Sequence, residues 1–233
     1  MEPLIIGGFI IAVAIVVAVV SYISARKRRE AMAALAAKLG LCFDPGKNWD
    51  IAKRYSFLDK LRVESKFLSG ERTTNRYAFN ILSGNYHGHD VTVFDYHYET
   101  YSTDSKGHRQ THHHYFSFFI LHLPASFPEL IIGSEGFFSK IAQALGYDDI
   151  DFESYEFSRK FCVRSPDKKF AYDVCNARMI EYLLSNTDLT IEIESGALAV
   201  SFGSRLAPEQ IEPNLNRLIT VRSLLPEYLF SRR

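Results

Sequence analysis

Cysteine is scarce in this chain and unpaired: Cys42, Cys162 and Cys175 are odd in number, widely spaced and outside any Cys-x-x-Cys motif. No disulfide framework is implied. Glycosylation sequons with a usable middle residue are missing as well, in keeping with a body that never meets the secretory side. Excess charge of either sign is also lacking, with 27 basic against 27 acidic residues. Residues 1–29 hold four of the basic ones and a single acidic one, so the rest of the chain carries a net charge of −3. That argues against nucleic acid as a partner, because phosphate binding needs clustered Lys and Arg to release counterions. The chain has no His-Glu-x-x-His to fix a metal and a base on one helix. Gly46-Lys47 stands one residue off the phosphate-loop spacing from Gly40, and Asn48 replaces the hydroxyl residue that would hold magnesium.

What is present begins with a long apolar run. No residue from Pro3 to Ala25 is charged, and Leu4–Ile23 reads LIIGGFIIAVAIVVAVVSYI. That length crosses a bilayer core of roughly 30 Å at 1.5 Å per residue, and in lipid it must be helical. An acidic start, a long core and a poor cleavage site favour a retained anchor over a signal peptide, and no lipobox cysteine follows. The basic run Arg26-Lys27-Arg28-Arg29 lies directly after the span and predicts a single-pass cell-membrane protein with its C-terminal body in the cytoplasm. Those arginines are placed to lie along anionic head groups.

The helix is expected to continue as a stem over Arg26–Leu39, closed by Gly40 and broken at Pro45-Gly46, with Leu35 and Leu39 packing on the body. No heptad pattern persists in it, which excludes a coiled coil. From Tyr77 the period becomes strand-like. YAFNILSG and DVTVFDYHYET form a hairpin around Gly84-Asn85 and Gly88, and HHHYFSFFILHLP is a central strand ending at Pro124. ELIIGSE reads as a short further strand and Phe137–Gly146 as a helix. In the second half, DIDFES and EFSRKFCVRSPD read as strands, KFAYDVCNARMIEYLLS as one helix, and LTIEIESGALAVSFGS as a hairpin turning at Ser195-Gly196. A last helix carries Leu215, Leu218, Ile219, Val221 and Leu225, with Pro213 in its first turn and Pro226 at its end.

These elements predict an α+β fold: an N-terminal transmembrane helix and helical stem, then a mainly antiparallel sheet domain with interspersed helices and a C-terminal helix. The expected divisions are an anchor over 1–25, a basic stem and linker over 26–53, and a body over 54–233, either whole or split into 54–147 and 148–233. With 47% hydrophobic and 23% charged residues the chain suits one or two folded domains.

Short motifs add a resemblance. Asn80-x-Leu82-x-Gly84, Gly88-x-x-Val91-x-x-Phe94-Asp95-Tyr96, Asp149-Ile150-Asp151-Phe152 and Glu156-Phe157-Ser158-Arg159 together look like an uncharacterised family of bacterial single-span membrane proteins with a cytoplasmic domain of unknown function. The resemblance implies a bacterial inner-membrane protein with the same element order, and it brings no catalytic residues.

Chemistry concentrates in Gly84–Phe116, which holds seven of the eight histidines. With Asp104-Ser105-Lys106-Gly107 as the turn, His97 faces His114, Glu99 faces His112 and Asp95 faces Phe116, about 5 Å apart across the hairpin. A zinc ion would then find His97, His114, His112 and Glu99, with His87 and His89 adding a His-x-His pair on one strand face. A slip of one residue would instead pair His97 with His113. Three readings stand open: an exposed polar hairpin, a metal or pH-sensing site, and a catalytic centre. Cys162 and Cys175 read as buried packing groups, and Asp149, Asp151, Glu153 and Glu156 as a solvated strand face. Asp95, between Phe94 and Tyr96, needs a cationic partner such as Arg159 if it faces the core. No nucleophile or cofactor loop stands out, which favours a membrane-anchored binding module without enzymatic activity, its partner a protein or small ligand of unknown identity. The alternative is a zinc-dependent hydrolase, or a metal or pH sensor, built on the histidine-rich hairpin.

Overall fold

The computed structural model describes residues 2–55, 57–58, 74–103, 107–134 and 148–231, with side chains from residue 9 onward apart from those of 10 and 74. A helix, α1 (Glu2–Leu39), leads into an antiparallel sheet of β1 (Cys42–Asp44), β2 (Thr74–Tyr86), β3 (His89–Thr103), β4 (Arg109–Ser134), β5 (Phe161–Arg164) and β6 (Thr190–Ser201). Helices α2 (Ile51–Arg54), α3 (Tyr155–Lys160), α4 (Lys168–Val174), α5 (Ala177–Leu184), α6 (Ile211–Leu224) and α7 (Tyr228–Ser231) are interspersed among or follow the strands. The α+β class and the antiparallel pairing agree with the sequence pattern.

The strand order is β1-β2-β3-β4-β5, with β6 also pairing with β4. Pairing with β3 occupies β4 from Arg109 to Leu121, and pairing with β6 runs from Phe118 to Ile132. These ranges overlap, so β3 and β6 take opposite edges of β4. The strand is therefore central, as its apolarity on both sides predicts. It does not stop at Pro124. Register irregularities between His122 and Leu130 absorb the proline, and ELIIGS continues the same strand. The bulge also switches the inward parity, from Phe119 and Leu121 to Leu130 and Ile132 in the larger core.

β6 makes the complementary adjustment. The hairpin expected at Ser195-Gly196 is instead a bulge in one continuous strand. Ser195 takes φ 54°, and the inward residues change from Ile191 and Ile193 to Leu198 and Val200. Both strands switch parity at the same level, so their apolar faces stay matched.

Three further expectations are corrected. DIDFES is not a strand: Ile150 makes one ladder-type bond, its N–H to the Val163 carbonyl at 2.9 Å, but the Val163 N–H that would extend the pairing donates to the Asp149 carboxylate at 2.8 Å. EFSRKFCVRSPD divides into α3 and the short β5, because Ser154 caps the helix by accepting from the Phe157 N–H. The single helix expected over KFAYDVCNARMIEYLLS is two, since Asn176 caps a new start by accepting from the N–H groups of Arg178 and Met179. The helix expected over Phe137–Gly146 lies outside the described residues.

Both sheet faces are covered in part. On one, Met32 and Ala36 of α1, Phe170 and Val174 of α4, Met179 and Leu183 of α5 and Leu215, Leu218 and Val221 of α6 pack over Val91, Val93, Phe119 and Leu198. On the other, Ala52, Tyr55, Phe57 and Leu58 cover Phe94, Tyr96, Phe118 and Ile120. The stem ends as expected, at Gly40 with φ 70°, and Leu35 and Leu39 rest on the larger core.

Among the described side chains in the first half of α1, the large apolar ones stand exposed. Ile15, Val16 and Val17 point about 100° apart around the helix, yet they are 59%, 61% and 59% exposed. The span expected over Leu4–Ile23 includes residues whose side chains are not described, and among the described residues no helix is long and apolar enough to cross a membrane.

Candidate functional site

Strand alternation places Asp95, His97 and Glu99 on the same sheet face as Val91 and Val93, beyond the apolar core. Asp95 is fully buried, and its partner is Arg28 of the stem, not Arg159, which sits exposed on α3. The Arg28 guanidinium donates through Nε to Oδ2 at 2.7 Å and through Nη2 to Oδ1 at 2.6 Å, and through Nη1 to the Leu206 carbonyl at 2.7 Å. Asn80 donates to Oδ2 at 2.9 Å and Ser117 to Oδ1 at 3.3 Å. Four donor contacts thus meet one carboxylate, which makes burial of its charge tolerable. One arginine of the basic run has therefore turned into the protein, while Arg26, Lys27 and Arg29 stay exposed.

Next along the face lies the histidine cluster. β3 and β4 pair Thr103 with Arg109, so five residues connect them where a four-residue turn was expected. The extra residue moves every partner by one: His97 faces Tyr115, Tyr98 faces His114, Glu99 faces His113 and Thr100 faces His112. With a side-chain period of two, that step sends His112 and His114 to the opposite face from His97 and Glu99. There His114 meets Thr100 Oγ1 at 2.9 Å and stacks on Tyr98 at 4.6 Å, while His112 meets Ser102 Oγ at 3.0 Å. The expected constellation of His97, His114, His112 and Glu99 does not assemble.

His87 and His89 do not join it either. His87 with φ 50° and Gly88 with φ 84° form the tight turn between β2 and β3, a conformation that glycine takes without a Cβ clash. Gly84 and Asn85, expected to turn, stay in β2. Eight residues of strand separate His89 from His97, roughly 26 Å at 3.3 Å per residue.

The grouping that forms is His97, Glu99 and His113, whose ligand-type atoms all lie within 4.8 Å of one another. His97 is buried, with Nδ1 3.1 Å from the Asn75 carbonyl and Nε2 3.1 Å from His113 Nδ1. A carbonyl only accepts, so Nδ1 carries the proton and the neutral ring directs its Nε2 lone pair at His113. Tyr77 and Tyr115 flank the ring at 4.7 and 4.8 Å. Glu99 Oε1 accepts from Asn75 Nδ2 at 2.6 Å and Oε2 from the Tyr101 hydroxyl at 2.7 Å. His113 Nδ1 is 3.5 Å from Glu99 Oε1, and its side chain is 52% exposed.

Electrostatics agree with this arrangement. Burial lowers the proton affinity of His97 below the usual imidazole value, against the opposing pull of the Asn75 carbonyl and Glu99. The Tyr101 and Asn75 hydrogen bonds hold Glu99 below the usual carboxylate range, so it is an anion beside two imidazoles. His113 was reachable from the sequence only through the turn length, since three consecutive histidines conceal which one faces inward. Asn75 and Tyr101 carry no sequence signal of their own.

The cysteines are packing groups: burial pushes the Cys162 thiol up to about 12 and raises Cys175 further still. Asp149, Asp151, Glu153 and Glu156 are solvent-exposed, but on a loop and a helix instead of a strand.

No protein-family model matches the chain, and no curated protein matches it in sequence. Its fold is similar to that in the crystal structure of the mycobacterial trehalose monomycolate transport factor A, TtfA, with a TM-score of 0.59 over 86% of this chain and 97% of that one, at 13% identity.

Proposed function

We propose that this protein is a membrane-anchored binding module without enzymatic activity. Its single-pass helix is the first half of α1, with the basic flank on anionic lipid and the body on the cytoplasmic side of a bacterial inner membrane. The observation that carries this reading is the run of large apolar side chains on α1, exposed on every side of a helix whose second half is built into the core. An apolar surface of that kind stands against water only at high free-energy cost, and lipid covers it without a protein partner. The fold shared with a transport factor supports a binding role over a catalytic one.

Because α1 is one helix from the apolar run to Leu39, and Arg28 clamps it to Asp95, the body is held at a fixed attitude beside the bilayer. The exposed rings of Trp49 and Tyr115, with Arg205 4.9 Å over the Tyr115 ring and Lys47 4.2 Å over the buried Tyr77 ring, then form an aromatic face close to the head groups. It is the surface best suited to engage the unknown protein or small-ligand partner.

Membrane fractionation tests the anchor. The full chain should sediment with membranes and resist carbonate extraction. Replacing Ile15 and Val19 by arginine, at about 2.5–3.5 kcal/mol per charge in mid-span, should release it. A fusion after Arg233 should be active with a cytoplasmic reporter. Extraction of the unaltered chain by carbonate, or activity of a periplasm-dependent reporter, would defeat the reading.

A further inference from the structure

We infer that His97, Glu99 and His113 form a binding site for one zinc-class divalent cation, with ligand atoms His97 Nε2, His113 Nδ1 and Glu99 Oε1 and an open fourth position facing solvent. The spacing carries the inference. Two ligands of a tetrahedral zinc ion at 2.0–2.1 Å stand about 3.3–3.4 Å apart. Here the two imidazole nitrogens are 3.1 Å apart and His113 Nδ1 is 3.5 Å from Glu99 Oε1, on either side of that value.

The outer contacts are of the kind a metal site needs. A ligating histidine usually gives its other N–H to a carbonyl or carboxylate, which fixes ring and tautomer, and His97 gives its Nδ1–H to Asn75. The same Asn75 donates its amide to Glu99, and Tyr101 holds the second carboxylate oxygen. One residue of β2 therefore orients two ligands of β3. His113 supplies the accessible side. Two imidazoles and a carboxylate with an open position suit zinc, and three protein ligands leave space for water or an incoming donor.

Neighbouring histidines provide the internal control. His112 and His114 are adjacent in sequence but point to the other face, so a register-specific site separates them from His113. The test is isothermal titration of zinc into the full chain in detergent, with bound metal counted by mass spectrometry and cobalt absorption read for tetrahedral coordination. One tight equivalent is expected. His113→Ala and His97→Ala should each weaken it by more than about a hundredfold, since loss of an outer contact alone costs ten- to a hundredfold. His112→Ala and His114→Ala should leave it unchanged. If buried His97 proves necessary for folding, the half-exposed His113 decides alone. No binding tighter than millimolar, or equal losses across all four variants, overturns the site.

Discussion

The clamp between Arg28 and Asp95 offers the sharpest test of how the helix is joined to the sheet. Arg28→Met keeps the length and apolar stem of the side chain and removes the charge. Asp95, fully buried, would keep Asn80 at 2.9 Å and Ser117 at 3.3 Å, two neutral donors for a whole negative charge. Removing one partner of a buried pair costs about 3–5 kcal/mol. The retained donors place the effect near 3 kcal/mol, and the Leu206 carbonyl, losing its own donor, adds about 1 kcal/mol. Asp95→Asn strands the guanidinium in turn and should cost about 3 kcal/mol. The double variant Arg28→Met with Asp95→Asn buries no charge; its amide oxygen can accept from Asn80 while its NH2 donates to the Ser117 hydroxyl oxygen. Its cost should be about 2 kcal/mol, well below the sum of the two single changes.

Urea unfolding of the full chain in micelles measures this directly. Trp49, the one tryptophan, lies 6.1 Å from the Tyr77 ring and reports on the body by fluorescence. A cost below about 1 kcal/mol for Arg28→Met would equate the pair with a surface salt bridge and refute the clamp. Additive costs in the double variant would do the same.

Acid should act through His97. A group whose proton affinity falls on folding adds stability that is fully present above its unfolded pKa of about 6.5 and is lost as pH falls from there through the lower folded value. Between pH 7.5 and 5.5 the urea midpoint should therefore drop, with a slope of at most about 1.4 kcal/mol per pH unit from His97. His97→Gln should flatten it, leaving a residue from His89, which burial also lowers. Glu99 shares the sign, but its contribution is lost only below the carboxylate range, so a single transition near pH 4 would reject the assignment to His97. Thiol labelling should separate the cysteines: exposed Cys42 reacts with a maleimide in the folded protein, whereas buried Cys162 and Cys175 react only on unfolding. Rapid labelling of all three would contradict the packing.

Periodicity and composition alone carried the reading of the apolar run, the stem ending at Gly40, the β2–β3 hairpin, the central place of β4 and the α+β class. Each depends on local propensity or on an alternation summed over many residues, and both survive in a linear string. Where one residue decided the outcome, local pattern did not suffice. Ser195-Gly196 has the composition of a turn, yet pairing with β4 draws it into a bulge. Asn176 divides a run that looks like one helix, and Asp149 spends its carboxylate on backbone that would otherwise extend. The site turned on the same kind of step. A connection of five residues instead of four exchanged His114 for His113 and dissolved one constellation while assembling another. Arg28, indistinguishable in sequence from the basic residues beside it, was selected only by the position of Asp95 beneath the helix. The string of residues determined where the apolar and polar material lies along the chain. Tertiary packing decided which polar groups meet, because a buried charge is stable only where donors from distant elements converge on it.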